Sequence, residues 1–284
     1  MTDRIVPVYI LNIAANPHDG DIYSRALERA SRIIVRARGS DYAKITLPKR
    51  NDRYKRILQG QILIWTEIDL DGPWLDLDKG SEIDPELREK ISIPPNARPN
   101  FRAFDYVFDE QKHQLYFEAR NDLDQTVGAT VVLRIFSGIL NRELMGPDWP
   151  EIEVTLVPTH DAIERILALP HLNTLMIRVG RPNPDAASPE AVARVNAKLE
   201  ALHAQKLEIR LRKAADAARI TLDPEFREIA DVGADNGLVK GEGRYADGSK
   251  AELSTRDQPR KIEINMAKGD NFFARLISTI SGLV

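Results

Sequence analysis

The chain has 284 residues, of which 43% are hydrophobic and 29% charged, and it contains no cysteine. This composition is typical of a protein with a packed core, and the missing cysteines exclude disulfides and thiolate metal sites. The formal net charge of −3 excludes a uniformly basic coat for nucleic acid and a strongly anionic, disordered chain.

The N-terminal part of the sequence predicts a strand, a helix and two further strands. Residues 5–13 are rich in β-branched and aromatic types and end at the turn sequence NPHDGD. Apolar residues at spacings of three and four predict a helix over 22–35, with Gly39 as its C-terminal cap. A short strand follows near 43–47. A longer strand lies in RILQGQILIWTEIDL, where the set facing a core should be Leu58, Ile62, Ile64 and Ile68.

The middle of the chain predicts a connection, a hairpin and a helix. Residues 71–99 are acidic, rich in proline and without apolar periodicity, which indicates an extended connection. The segment FRAFDYVFDEQKHQLYFEAR predicts a β-hairpin around its polar DEQKH turn. Helical spacing then runs over 130–145 and stops at Gly146 and Pro147.

A strand–helix–strand pattern opens the second half. Strands over 152–157 and 174–179 flank a helix that begins at Thr159 or Asp161, which predicts a βαβ-like unit. Ser188 and Pro189 are typical of a helix start, and the apolar spacing carries this long helix to about residue 214. Its seam of Val192, Val195, Leu199, Leu202 and Ile209 suits core packing or a dimer contact.

The C-terminal part completes an α+β protein with a mixed sheet and helices. A helix opens at Asp223 and Pro224, and a glycine-rich hairpin follows, with its turn at Asp247 and Gly248. A strand in KIEINM and an amphipathic tail over 271–284 end the chain. We expect two units: 1–146, an N-terminal strand-helix-strand sheet with a basic helix, and 147–284, which holds the βαβ-like unit, the long helix and the C-terminal hairpin.

No catalytic motif emerges from the sequence. The five histidines lack metal-ligand spacing, no serine lies in G-x-S-x-G, and neither a Rossmann nor a P-loop sequence is present. We therefore expect no catalytic residue, no cofactor and no metal. The acidic cluster Glu67, Asp69, Asp71, Asp76 and Asp78 could hold Mg²⁺ or Ca²⁺, but turn chemistry explains an Asp-Gly-Pro sequence after a strand more simply.

A metal-dependent nuclease or phosphodiesterase is the alternative function, with Asp69, Asp71, Asp76 and Glu118 as its carboxylates. The nearest match to a restriction-type motif is Asp105 or Asp109 with Glu118 and Arg120. Arginine cannot lose its proton to act as the base that a lysine supplies in such motifs, which weakens this reading.

The charges are strongly polarised along the chain. Residues 25–56 carry eleven basic and three acidic side chains, a local balance of +8, whereas residues 67–89 carry nine acidic and two basic ones, a balance of −7. Phosphates are natural partners for such arginines, and binding through them carries no sequence preference. The predicted nucleic-acid site consists of Arg25, Arg29, Arg32, Arg36, Arg38, Lys49, Arg50, Arg53, Lys55 and Arg56. The other reading is that the two segments neutralise each other, within one chain or across a dimer.

Several phrases carry a resemblance to a known family. YILNIAANPHDGDIY, PWLDL, EVTLVP, ADNGLVKGEG and LSTRDQP resemble an uncharacterised bacterial domain family of about this length, often encoded near phage-defence genes. More loosely, the order of elements resembles the DNA-binding subunit of the Kiwa defence system and the phage-lambda exclusion protein RexA. The resemblance implies a homodimeric, sequence-independent DNA binder that acts in defence, and it supplies no catalytic centre.

The N-terminal sequence has no apolar leader of the secretory kind, and no segment reaches the roughly 20 apolar residues of a membrane span. We therefore expect a cytoplasmic protein without membrane contact. Its expected function is anti-phage defence or an accessory role through nucleic-acid binding, with DNA as the expected nucleic acid, as a homodimer and with a partner protein encoded nearby. A protein-interaction scaffold without catalysis is a further alternative.

Overall fold

A computed structural model of the chain describes residues 4–17, 20–182, 189–267 and 269–282. The elements up to residue 146 are β1 (Arg4–Asn16), α1 (Ile22–Ala30), β2 (Val35–Arg38), β3 (Asp41–Ile45), β4 (Lys49–Arg50), β5 (Ile57–Thr66), β6 (Leu75–Asp76), β7 (Ser81–Glu82), α2 (Pro85–Arg88), β8 (Arg102–Asp109), β9 (Gln114–Glu118), α3 (Ala129–Ile139) and α4 (Arg142–Met145). The later elements are β10 (Glu151–Leu156), α5 (Ala162–Leu167), β11 (His171–Gly180), α6 (Pro189–Ala201), β12 (Lys206–Arg212), α7 (Pro224–Asp235), β13 (Gly237–Arg244), β14 (Lys250–Ser254), β15 (Lys261–Met266) and α8 (Phe272–Ile280). The predicted α+β class is confirmed.

Among the described residues, nine strands form the first sheet. Seven run in the order β10-β1-β9-β8-β5-β3-β2, with β15 beside β1 and β4 beside β5. The long strand β1 has three partners: its first half pairs with β15, its second half with β10, and its middle with β9, all antiparallel. The first sheet therefore takes strands from both sides of residue 146.

Helices cover the two faces of the first sheet. On one face, α1 and α3 pack over a core that contains Phe104, Tyr106 and Phe136. Tyr106 and Phe136 meet edge to face, with ring centroids 5.7 Å apart. On the opposite face, α8 packs against β8 and β15, over a core that also holds Val6, Val8 and Ile10 of β1. The strand period of two produces this division, because alternate residues of each strand point to opposite faces.

The second sheet contains four antiparallel strands of the described chain, in the order β12-β11-β13-β14. Its core lies under α5, α6 and α7. Glycines allow β13 to approach β11 very closely. A Cβ atom at Gly237 would lie 2.0 Å from the Arg178 carbonyl oxygen, and one at Gly243 would lie 2.0 Å from that of His171. Any larger residue at either position would push the two strands apart.

The predicted βαβ-like unit has the expected order of elements, but its two strands lie in different sheets. The strands β10 and β11 flank α5, yet β10 pairs with β1 in the first sheet and β11 lies in the second. The segment therefore passes from one sheet to the other. A strand–helix–strand pattern in the sequence does not identify the partner of either strand.

The long helix predicted from residue 189 to about 214 is wrong, because α6 ends at Ala201. His203 lies in the left-handed region, with φ of 50°. The N–H of His203 donates to the Glu200 carbonyl, and that of Ala204 donates to the Leu199 carbonyl. This pair of bonds is the Schellman ending of a helix, with histidine in the place that glycine usually takes. The predicted start residue Ser188 lies outside the described residues.

Other predicted elements are confirmed. The hairpin of β8 and β9, the helix α7 and the hairpin of β13 and β14 lie where the sequence indicates. The single helix predicted over 130–145 is divided, because α3 ends at Ile139 and α4 begins at Arg142. In β5, Leu58, Ile62 and Ile64 are buried as expected, whereas Ile68 lies beyond the strand and is exposed. The connection over 71–99 holds the short elements β6, β7 and α2.

Candidate nucleic-acid interface

The ten basic residues of the predicted site fall into three groups. The groups are Arg25, Arg29 and Arg32 on or just after α1; Arg36 and Arg38 on β2; and Lys49, Arg50, Arg53, Lys55 and Arg56 in the basic loop, residues 49–56. The helix predicted over 22–35 is wrong at its end, because α1 ends at Ala30 and Arg36 therefore lies on a strand. The β-branched residues that follow, Ile33 to Val35, favour extended backbone and lead into β2. Gly39, predicted as the cap of this helix, lies between β2 and β3 instead.

The arginines on and just after α1 contact acidic side chains or a carbonyl group of the protein itself. Arg25 Nε lies 3.2 Å from an Asp21 carboxylate oxygen, and an Arg32 nitrogen lies 3.6 Å from Glu28. Arg29 Nε donates to the carbonyl of Met145, at 3.3 Å. These contacts are of the kind that stabilises a helix and its docking, and exposed pairs contribute little energy.

The basic loop has a defined shape. The Asn51 side chain accepts hydrogen bonds from the backbone N–H groups of Arg53 and Tyr54, at 3.0 and 2.9 Å, which closes a turn. The guanidinium of Arg53 lies 5.2 Å from the centre of the Tyr54 ring. Within the described ranges, the side-chain ammonium groups of Lys49 and Lys55 have no hydrogen bond or ion pair.

Two cations of the basic loop are neutralised by the turn between β8 and β9. Arg50 binds Glu110 through both of its terminal nitrogens. Arg56 Nε lies 3.5 Å from the buried Asp109 carboxylate, and another Arg56 nitrogen donates to Gln111 at 2.6 Å. Arg50 and Arg56 therefore fix the loop to the sheet and add little net charge to it.

Strand register places a further set of cations and aromatic rings on one face of the first sheet. Arg36 lies opposite Tyr42, and Tyr42 lies opposite Trp65. Paired residues of neighbouring strands share a face, as do residues two apart along a strand. Lys44 opposite Leu63 and Lys49 opposite Gln59 therefore belong to the same face. We call this surface the open face and define it by Arg36, Tyr42, Lys44, Lys49, Leu63 and Trp65.

The open face lies beside the part of the sheet that α8 covers. Tyr42, Leu63 and Trp65 are half-buried, and none of them belongs to the hydrophobic cores found among the described residues. From Gln59, opposite Lys49, to Trp65 the strand β5 extends about 20 Å at roughly 3.4 Å per residue. The surface is thus long enough for several nucleotides and carries both cations and rings.

Two carboxyl groups adjoin the open face. Asp105 accepts a hydrogen bond from the Gln61 side chain at 2.8 Å, and the Glu118 side chain accepts one from the Asp105 N–H at 2.9 Å. Burial raises the pKa of Asp105 and raises that of Glu118 to about 8. Glu118 is therefore mainly protonated at neutral pH, which removes one negative charge from beside the cations.

Within the described part of one chain, no ion pair joins the acidic segment to the basic one. Glu67 pairs with Arg98 at 2.8 Å, and Asp84 pairs with Lys79, so these acids find partners outside residues 25–56. Asp69 and Asp76 accept hydrogen bonds from N–H groups two and three residues ahead, as in ordinary turns.

The carboxylates of the alternative metal site are not brought together. Asp69, Asp71 and Asp76 lie in the connection after β5, whereas Glu118 ends β9. Across residues 4–17, 20–182, 189–267 and 269–282, no group of three or more histidine or acidic side chains has an arrangement that could hold a metal ion. The acidic cluster is explained by turn chemistry instead.

Tyr42 and Trp65 were not among the binding residues predicted from the sequence. Each lies in a strand whose composition is unremarkable, and only the register of β2, β3 and β5 places them beside Arg36. A search for strand pairs with one face both aromatic and basic would find them.

None of the helices in the described part of the chain has the length and apolar character needed to cross a bilayer. A comparison with curated proteins found no match. A family model matches residues 4–280, which is nearly the whole length. The chain therefore belongs to the family described as "Domain of unknown function (DUF4747)".

Proposed function

We propose that the protein binds single-stranded nucleic acid, without sequence preference, across the open face and the adjoining basic loop. One observation carries the proposal: Arg36, Lys44 and Lys49 lie on the same face of the sheet as Tyr42 and Trp65. Proteins that bind single strands combine a cationic groove for the backbone with aromatic rings on which bases stack. In a duplex the bases stack on one another, so their faces are not accessible to aromatic side chains.

The local charge supports this assignment. Lys44, Lys49 and Lys55 have no acidic partner in the described chain, and Arg53 is held near a ring instead of a carboxylate. Cations without a protein partner can exchange their counterions for phosphates, which is the main source of affinity for nucleic acid. The arginines of α1, in contrast, contact acids or a carbonyl of their own neighbourhood.

Reversing three charges on the open face is the direct test. Arg36→Glu, Lys44→Glu and Lys49→Glu together are expected to weaken binding to an oligothymidylate of about 20 nucleotides at least a hundredfold at low salt. Loss of three phosphate contacts should also reduce the slope of log K against log salt concentration by about 2. Fluorescence anisotropy at several salt concentrations measures both quantities.

A matched variant on α1 provides the control. Arg25→Glu, Arg29→Glu and Arg32→Glu make the same change in net charge on other predicted residues, and we expect most of the binding to remain. Thermal unfolding of both triple variants checks that each is folded. Equal losses in the two variants, or undiminished binding by the first, would refute the assignment to the open face.

The aromatic rings give a second, charge-neutral prediction. Trp65→Leu and Tyr42→Leu are each expected to weaken binding about tenfold to a hundredfold, since stacking of a base on a ring contributes about 1–3 kcal/mol. Both variants leave the net charge and the salt slope unchanged. Quenching of tryptophan fluorescence by bound oligonucleotide should shrink in Trp65→Leu. If only the charge variants affect affinity, the strand contacts the protein through its phosphates alone.

Homodimer formation, a nearby partner protein and a role in anti-phage defence remain predictions that follow from the family resemblance. Light scattering of the purified chain tests the dimer. Phage plating on cells with and without the gene tests the role in defence, and the open-face variant then shows whether that role depends on nucleic-acid binding.

A further inference from the structure

A cleft of about 790 Å³ lies where the two sheets meet. Its walls come from β1, the β8–β9 turn, the segment after β10 and the C-terminal end of α7. Asn12 Nδ2 and Thr155 Oγ1 both donate to the Asp235 carbonyl, at 3.1 and 2.7 Å. These bonds attach the end of α7 to the first sheet, so the floor of the cleft is fixed by contacts within the protein.

A second set of bonds fixes the opposite wall. The Thr159 N–H donates to the Gln258 carbonyl, and the Arg260 N–H donates to that of Val157, both at 2.8 Å. The segment after β10 therefore runs beside the segment before β15. This pairing holds His160 and Arg260 on the same wall of the cleft.

Three charged or titratable side chains line the cleft without a hydrogen bond to the described protein. Within the described chain, the side chains of Asp235, His160 and Arg260 make no hydrogen bond and no close ion pair. Burial raises the pKa of Asp235, and attraction to His160 and Arg260 offsets part of that rise. A partly buried carboxyl group without a hydrogen bond is costly, and such groups are typical of ligand sites.

The remaining lining narrows the class of ligand. Lys112 adds a cation that keeps donors beyond its bond to the Ile280 carbonyl, whereas the charge of Arg56 is balanced by Asp109. Apolar side chains supply another part of the wall: Val157, Ile163, Ala234 and Ile280. The lining thus suits a ligand with an anionic end, an apolar planar part and hydroxyl groups, and its volume lies within the usual range for small-molecule sites.

We propose that this cleft binds a nucleoside phosphate, with Arg260 and Lys112 at the phosphate and the Asp235 carboxylate accepting hydrogen bonds from the ribose hydroxyls. Arginine and lysine are the usual phosphate-binding side chains. An acidic side chain on the ribose hydroxyls is a recurrent arrangement in nucleotide sites. The proposal rests on the cleft alone and does not depend on binding at the open face.

Calorimetric titration of the full chain tests the ligand class. The probes are AMP, ATP, GMP, adenosine and inorganic phosphate, each titrated separately. We expect at least one nucleotide to bind at least tenfold more tightly than adenosine or inorganic phosphate. Equal affinity for inorganic phosphate would indicate a plain anion site and overturn the proposal, as would the absence of nucleotide binding at millimolar concentrations.

Two variants that each remove a charge test the residue roles. Arg260→Gln is expected to weaken nucleotide binding about tenfold to a hundredfold, through the loss of charge-assisted hydrogen bonds. Asp235→Asn should weaken binding of a ribonucleotide more than that of its 2′-deoxy analogue, because only the ribonucleotide has the second hydroxyl. Equal losses of affinity for both nucleotides would show that Asp235 does not contact the 2′-hydroxyl of the ribose, which contradicts its proposed role. Thermal unfolding checks that the variants are folded.

The open-face triple variant separates this proposal from the previous one. It should bind nucleotides like the parent chain even though it no longer binds oligonucleotide. Loss of nucleotide binding in that variant would place the nucleotide on the open face and overturn the cleft site.

Competition identifies the source of the nucleotide. An oligonucleotide with a 5′-phosphate that displaces a labelled mononucleotide, when its 5′-hydroxyl counterpart does not, supports the end of a strand as the ligand. Failure of both to displace it supports a free nucleotide.

Discussion

Replacing Phe136 with alanine is expected to lower the free energy of unfolding by about 3–5 kcal/mol. Phe136 is fully buried between α3 and the first sheet and meets the ring of Tyr106 edge to face. Removing the ring takes away apolar burial and leaves a cavity that the close-packed sheet cannot fill. Urea denaturation followed by circular dichroism measures the loss.

Phe101→Ala is the matched control for this prediction. Phe101 lies just before β8 and is 57% exposed, so the same change should alter stability by less than about 0.5 kcal/mol. Similar losses at the two positions would contradict the packing of α3 on the sheet.

Glu118 is expected to make the protein less stable as the pH rises. Its pKa is about 8 in the folded chain, against an ordinary value of 4.5, because burial disfavours the charged form. Between these values the folded state keeps a proton that the unfolded state has lost. The stabilising contribution is complete below pH 4.5 and falls by about 1.4 kcal/mol per pH unit until about pH 8, on the order of 3–5 kcal/mol in all.

Glu118→Gln isolates this contribution. The amide keeps an oxygen that can accept the hydrogen bond from the Asp105 N–H, and it has no charge to bury. Burial raises the pKa of Asp105, Glu153 and Asp235 as well, so the variant retains part of the decline. We expect the parent and variant curves of unfolding free energy against pH to diverge between about pH 5 and pH 8. Parallel curves would contradict the assignment.

Local sequence patterns were sufficient for most elements of the fold. Alternation and turn residues located the β8–β9 hairpin and the β13–β14 hairpin, and Asp223 with Pro224 marked the start of α7. The ends of α1 and α6 were missed for a physical reason. Apolar spacing continues through Ile33 and Ile34, but the chain leaves the helix after Ala30 and enters β2 at Val35. It also continues through Leu207 and Ile209, but pairing with β11 places those residues in β12.

The candidate site depended on information that local patterns do not contain. The cations of 25–56 could be counted in the sequence, but strand register decides which of them face the same way. Lys44 and Trp65 become neighbours only because β3 pairs with β5. The cleft joins Asn12, His160, Asp235 and Arg260, which are far apart in the chain, and no motif relates them.

The three partners of β1 determine when the first sheet can be completed during synthesis. Its first half pairs with Lys261–Met266, more than 250 residues later in the chain. While the ribosome is still making the second sheet, that half of β1 has an unpaired edge on the side that β15 will occupy. Unpaired edges favour aggregation, and contacts of such long range form slowly. We therefore expect the nascent chain to be prone to aggregation, and to benefit from a chaperone, until β15 emerges.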